Sequence, residues 1–169
     1  ARSLRFRLAD LGIQQLADRV HGPRAIALDA TTGDFVVWRA DGLPAYHLAA
    51  VTDDHDLGIT DIVRGYDLME SSAAQQALYT ALGWPVPRFA HVPLAVGPSG
   101  VKLSKANEAP PTTLSPPGEI LVTALSHLGQ PVHDLDKRDN PASILSAAVS
   151  RWSWAIVPRA AHVPLTGQL

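Results

Sequence analysis

Leu4, Phe6 and Leu8 alternate with Arg5 and Arg7, the two-residue period of a half-buried strand. Two short apolar runs follow, Arg24 to Leu28 and Phe35 to Trp38, with the turn-forming stretch Asp29 to Asp34 between them. From Pro44 the period changes. A proline at a first helical position predicts a helix over about 45–56, ended near Gly58. Ile59 to Arg64 reads as a strand stopped by Gly65. Ala73, Ala74, Ala77, Leu78, Ala81 and Leu82 then fall on one face at helical spacing, with Ser71 or Ser72 as the expected cap and Gly83 as the stop. Phe89 to Val92 and Leu94 to Val96 are short strands, and Gly97 to Gly100 is a turn. Prolines 110, 111, 116 and 117 make 106–118 a loop. Two helices close the pattern. Ile120, Leu121, Ala124, Leu125 and Leu128 line the first, which ends at Gly129. The second is capped by Asn140, opens on Pro141 and carries the stripe Ile144, Leu145, Ala148, Val149 and Trp152. Strands lead, mixed α/β follows, and helices finish.

Composition narrows the class. With 46% hydrophobic and 18% charged residues, the 169-residue chain can bury a core. No apolar run approaches the ~18–20 residues of a membrane span, so no membrane partner is expected. Cysteine is absent, which excludes disulfides and thiolate zinc sites within this chain. The net charge of −2 argues against a strongly basic nucleic-acid module, although a larger enzyme touching RNA locally remains compatible. The charge is uneven: residues 41–70 hold seven acids and a single cation, Arg64. The chain opens without Met on a segment with no clear targeting pattern, and reads as the interior of something longer. One string nearly repeats: Val86 to Leu94 matches Val157 to Leu165 at eight of nine positions, with no repetition in the flanks.

Several residues can carry chemistry. Lys102 and Lys105 stand three apart after the Gly97–Gly100 turn, where two ammonium groups can reach nucleotide phosphates or simply sit in solvent. No phosphate-cradling Gly-x-x-x-x-Gly-Lys loop is present. Arg64, at a strand end before Gly65, can clamp a carboxylate with two parallel bonds or pair with Asp61, Asp67 or Glu70. Tyr46 can present its hydroxyl to a site or pack. Asp53, Asp54 and His55 supply too few converging ligands for a metal and read as a structural cluster at a helix end, and His127 and His133 as surface residues, so no metal is assigned.

The order and spacing of these segments over about 35–108 resemble the second catalytic half of a glutamyl-tRNA synthetase-type class I enzyme. The likeness rests on Asp41 to Ala49, Asp53 to Gly65, Gln76 to Gly83, His91 to Leu94, and Gly97 to Lys105. Lys102, Leu103, Ser104, Lys105 and Ala106 resemble that family's second nucleotide motif, Ala106 departing from its last position. The 64 residues after Lys105, with Asn107 to Pro111 and Ile144 to Pro158, are similar to the family's short branch, the glutamyl-Q tRNA(Asp) synthetases, which lack an anticodon-binding domain.

The resemblance implies an α/β fold: the second half of a class I Rossmann-type nucleotide-binding domain, with a β-rich N-terminal segment and a short helical C-terminal segment. It divides the chain into 1–34 as a remnant of an acceptor-binding-like insertion, 35–108 as catalytic fold and 109–169 as helical tail. It implies glutamate held by Tyr46 and Arg64, and ATP, with Mg, reached by Lys105 and Lys102. It also implies tRNA(Asp) bearing queuosine as acceptor, a cytoplasmic setting, and a missing N-terminal half carrying the first nucleotide motif and the zinc site. A truncated discriminating glutamyl-tRNA synthetase and a non-catalytic remnant binding RNA or a partner stay open as alternatives.

Overall fold

The computed structural model describes residues 2–8, 12–28, 33–103 and 115–165. They fall into two units, Ala1–His91 and Val92–Leu169. Lys105, Ser104 and Ala106 lie outside the described residues.

In the first unit, β1 (Leu4–Phe6) pairs antiparallel with β4 (Phe35–Trp38), setting Phe6 against Phe35 with ring centroids 5.5 Å apart. The alternating Arg5 side chain turns outward and donates to the Asp34 carbonyl. A four-stranded sheet has the order β3 (Gly22–Ala27), β2 (Ile13–Asp18), β6 (Arg88–Val92), β5 (Asp61–Gly65). Strands β2 and β3 form a hairpin from Ile13↔Ala27 to Asp18↔Gly22, and β2 meets β6 in parallel at Asp18↔Phe89. Strand β2 was absent from the sequence pattern. Its apolar positions Ile13 and Leu16 are separated by Gln14 and Gln15, which breaks the alternation, and its partner β3 begins earlier than the apolar run, at Gly22.

Helix α1 (Tyr46–Asp56) starts one residue after the expected position and packs against α2 (Met69–Leu82). The alanine face of α2 is buried as the spacing requires: Ala73, Ala74, Ala77 and Leu78 join Leu8, Leu28, Phe35, Val51 and Tyr79 in one core cluster. Small side chains let the helix approach its neighbours closely. Ala81 and Leu82, at the far end of that stripe, are exposed. A second cluster of Leu16, Ile62, Met69 and Phe89 joins α2 to the sheet. Helix α2 ends at Gly83, whose φ of +70° lets its N–H and that of Trp84 reach the carbonyls of Thr80 and Tyr79.

The capping expectation for α2 is corrected. A 3-10 turn, Tyr66–Leu68, runs directly into the helix, so Ser71 and Ser72 lie inside it, and Ser72 is fully buried with its Oγ on the Leu68 carbonyl. The hydroxyl is used in a buried network rather than at a helix end.

In the second unit, β7 (Leu94–Val96) pairs in parallel with β8 (His162–Pro164). Helices α3 (Pro117–His127) and α4 (Pro141–Arg151) pack through Val122, Leu125, Ile144 and Ala148. Asn140 caps α4 as expected, its Oδ1 accepting from Ala142 N at 2.8 Å. The apolar stripe of α4 is only half used: Leu145 and Val149 are exposed, because α3 covers the Ile144–Ala148 edge alone. His127 is half-buried rather than a surface residue. No helix among the described residues is long and apolar enough to cross a membrane.

Candidate functional site

Strand β5 delivers Arg64 to the edge of the first unit, one residue before the chain leaves the sheet. The side chain is half-buried, with Cζ 5.9 Å from the centroid of the Phe89 ring on neighbouring β6. Its Nη1 donates to Gln75 Oε1 at 2.8 Å and to Ser72 Oγ at 3.3 Å. Both acceptors are neutral, so the guanidinium keeps its charge uncancelled by them. Asp61, an expected ion-pair partner, binds Arg88 instead at 2.6 Å.

Ser72 and Gln75 sit three residues apart on α2, hence on one face of the helix, and both are completely buried. Behind Ser72 lies a second layer. His91 Nε2 is 2.8 Å from Ser72 Oγ, and His91 Nδ1 is 2.6 Å from Asp18 Oδ2. Asp18 closes β2 and accepts four hydrogen bonds. The backbone N–H groups of Val20 and His21 reach Oδ1, and the N–H and Nδ1 of His91 reach Oδ2. Burial works against the Asp18 charge, but the hydrogen bonds from His91, His21 and Val20 outweigh it and hold the carboxyl below its ordinary range. Asp18 is therefore a carboxylate, and His91 Nδ1 carries the proton between them.

Gln75 has its own support. Its Nε2 lies 3.5 Å from Nδ1 of His47, the second residue of α1. Burial, and then the nearby charge of Arg64, push the His47 pKa down, so the ring is neutral at neutral pH and Nδ1 can accept. Tyr46, immediately before it, is exposed, with its ring 5.7 Å from that of His47. Among the described residues no hydrogen bond joins Tyr46 to Arg64; the connection between α1 and β5 runs through His47 and Gln75.

In the second unit, Gly97 to Leu103 folds back on β7. Gly100 N donates to the Gly97 carbonyl, Leu103 N to the Ala95 carbonyl, and Lys102 bridges to Val96. Lys102 is exposed on this small hairpin. Elsewhere, His55 of the Asp53–Asp54–His55 cluster stacks face to face on Trp84 at 4.0 Å, a packing role.

Asp18, Ser72, Gln75 and His47 escaped sequence reasoning as site residues. The signal that was present is His91. A polar ring in the apolar run Phe89-Ala-His-Val must find buried partners, and those partners are Ser72 and Asp18.

The profile of the class I tRNA synthetases (E and Q), catalytic domain, matches residues 1–146. The chain belongs to that family. Its fold agrees: the glutamate tRNA ligase of Elizabethkingia meningosepticum, solved in complex with its amino acid, superposes with a TM-score of 0.74 at 25% identity, over 97% of this chain and 36% of that one. The chain is 42% identical over 149 residues to a glutamyl-Q tRNA(Asp) synthetase of Cronobacter sakazakii, covering 88% of this chain and 50% of the relative. It is 43% identical over 163 residues to that of Pseudomonas fluorescens, covering 96% and 54%. The chain thus spans about half the length of the curated relatives it matches. As a member of the class I synthetase catalytic-domain family it has the mixed α/β character expected from the sequence.

Proposed function

We propose that the protein carrying this chain activates glutamate with ATP and passes the glutamyl group to the queuosine base of tRNA(Asp), and that this chain supplies the second half of the site. The α-carboxylate of glutamate attacks the α-phosphate of ATP and pyrophosphate leaves. The acyl carbon of the mixed anhydride is then taken by the acceptor nucleoside, releasing AMP. No protein nucleophile is needed, so the side chains position substrates and offset charge. Arg64 binds a substrate carboxylate beside Tyr46; Lys105 and Lys102, from their match to the family's second nucleotide motif, are assigned to the phosphates of ATP, which enters with Mg²⁺. Since the relatives are about twice as long, the other half of the fold, which the resemblance equips with a zinc site, would be the partner that completes the catalytic centre, in the cytoplasm.

The observation that carries the reading is Arg64 itself. It stands at the carboxyl end of a strand, where ligands sit in open α/β sheets, and its hydrogen-bond partners are neutral. A cation held by neutral groups is available to an anion. The test is glutamate-dependent ATP–pyrophosphate exchange by the gene product as expressed, with any sequence that adjoins this chain. Hydrogen bonds to charged groups contribute about 1.5–3 kcal/mol, so Arg64→Ala raises the KM for glutamate roughly 10–150-fold and leaves that for ATP nearly unchanged. Arg64→Lys restores only part, since an ammonium lacks the two-pronged geometry. Equal weakening of both substrates would assign Arg64 to structure. Charging of queuosine-bearing tRNA(Asp) against tRNA(Glu) separates the glutamyl-Q reading from a discriminating glutamyl-tRNA synthetase.

A further inference from the structure

We propose that Ser72 and Gln75, supported by His91, Asp18 and His47, form a buried bracket that fixes the Arg64 guanidinium in its carboxylate-binding pose, and are therefore positioning residues for the substrate. The proposal rests on the reading of Arg64 given above.

An arginine carries its charge on a long flexible stem, and freezing it on binding costs rotamer entropy. Here the freezing is done in advance. Two acceptors converge on one nitrogen, Nη1, and the Phe89 ring lies beside the guanidinium carbon. With Nη1 engaged, the remaining N–H groups of the fork keep a fixed direction. The choice of acceptor matters. Asp or Glu in place of Gln75 would grip the guanidinium harder but cancel its charge and compete with an incoming carboxylate. An amide and a hydroxyl grip without competing.

Each acceptor is itself locked. His47 Nδ1 faces the Gln75 Nε2, which leaves Oε1 turned toward Arg64. Ser72 Oγ has three neighbours: the Leu68 carbonyl, which can only accept; Arg64 Nη1, which can only donate; and His91 Nε2. Whether the hydroxyl proton goes to Leu68 or to His91, an oxygen lone pair stays directed at Arg64. Asp18 fixes the far side of the His91 ring through four hydrogen bonds. The bracket thus reaches from the end of β2 through β6 and α2 to the end of β5. It buries four polar side chains, Asp18, Ser72, Gln75 and His91, with His47 half-buried beside them, a costly arrangement behind an arginine needed only as surface charge.

The test is the same exchange assay on the gene product as expressed, read as separate KM values and paired with thermal melts. Gln75→Leu and Ser72→Ala are expected to raise the KM for glutamate about 5–20-fold and to move that for ATP less than about twofold, as for loss of a positioning hydrogen bond. Gln75→Glu, which keeps the grip but neutralises the charge, is expected to raise the glutamate KM at least as far while melting no lower. Added to Arg64→Ala, Gln75→Leu is expected to change nothing further, because it acts only through Arg64. If Ser72→Ala does not fold, the three Gln75 measurements decide alone. A full loss with Arg64→Ala but a silent Gln75→Leu overturns the bracket and leaves the carboxylate reading standing. The same holds if Gln75→Leu lowers glutamate and ATP affinity together, or adds its full effect on top of Arg64→Ala. A silent Arg64→Ala overturns both.

Discussion

Replacing Asp18 by Asn isolates the anchor of the buried network. The side chain is fully buried and takes four hydrogen bonds on two oxygens, at 2.9 Å from Val20 N, 2.8 Å from His21 N, 3.0 Å from His91 N and 2.6 Å from His91 Nδ1. An amide has one oxygen. In either orientation two of these donors face an NH₂ group, and an unmet buried donor costs about 1–3 kcal/mol. Two of them, less some relaxation, make a loss of roughly 3–5 kcal/mol, the range seen when one member of a buried pair is removed. At about 2–4 °C per kcal/mol for a chain of this size, Tm falls by about 10 °C. The pH dependence has a definite sign. The folded carboxyl titrates below its unfolded value, so its stabilisation is complete above the unfolded pKa of about 3.9 and disappears as pH falls through the lower folded pKa. Urea melts of wild type and Asp18→Asn between pH 7 and pH 3 are therefore expected to converge toward the acid end. A loss below ~1 kcal/mol at pH 7, or a difference that does not shrink on acidification, would refute the account of Asp18 as a charged anchor.

Two further substitutions probe the packing. The hydroxyl of Tyr79 is buried with no hydrogen-bond partner among the described residues, so Tyr79→Phe is expected to be neutral or to stabilise by up to ~1 kcal/mol in the same urea melts. Gly83 and Gly129 share nearly the same left-handed φ, +70° and +71°, but a Cβ on Gly83 meets open space while one on Gly129 would lie 2.4 Å from the Ile156 carbonyl oxygen. Gly83→Ala is expected to cost about 1 kcal/mol and Gly129→Ala at least about twice that, by thermal melting; equal costs would show that the Ile156 segment yields freely.

What could be read from the sequence and what could not divides along one physical line. Elements with a strong period were legible: the alanine face of α2, the Asn140 cap of α4 and the Gly97–Gly100 turn; α1 was found too, but Pro44 lies before its N-cap Ala45, bridged to Trp38, and not at a first helical position. Arg64 also stands out in the sequence, because a lone cation in an acidic stretch is conspicuous without any knowledge of the fold; its role stays the proposal made above. Strand β2 was not legible, since Gln14 and Gln15 break its alternation and its pairing to β6 lies some seventy residues away. The bracket around Arg64 was hidden for the same reason. Ser72, read alone, has the chemistry of a helix cap, and only the meeting of β6 with α2 turns its hydroxyl into an acceptor for a distant arginine. Polar residues that serve a site from behind carry no local pattern; a buried histidine in a strand is the trace they leave.

The near-repeat makes the same point with the local sequence almost held constant. Val86 to Leu94 and Val157 to Leu165 differ only at Phe89 and Ala160. In the first copy Arg88–Val92 forms a sheet strand and His91 is wholly buried between Ser72 and Asp18. In the second copy the strand is shorter, His162–Pro164, and His162 is exposed. Extended structure recurs because both strings contain the same valine flanked by the same residues. Burial does not recur, because the first copy has strands on both sides and a helix over it, whereas the second, among the described residues, pairs only with β7. Phe89, the one side chain the copies do not share, is the ring that packs with Leu16, Ile62 and Met69 and lies beside Arg64. A benzyl group in place of a methyl brings far more apolar area to that cluster, of the order of 2–3 kcal/mol of burial at about 25 cal/mol per Å². The difference between a histidine that braces a site and one that faces solvent thus comes from the partners its strand meets, with a single aromatic residue favouring the buried one.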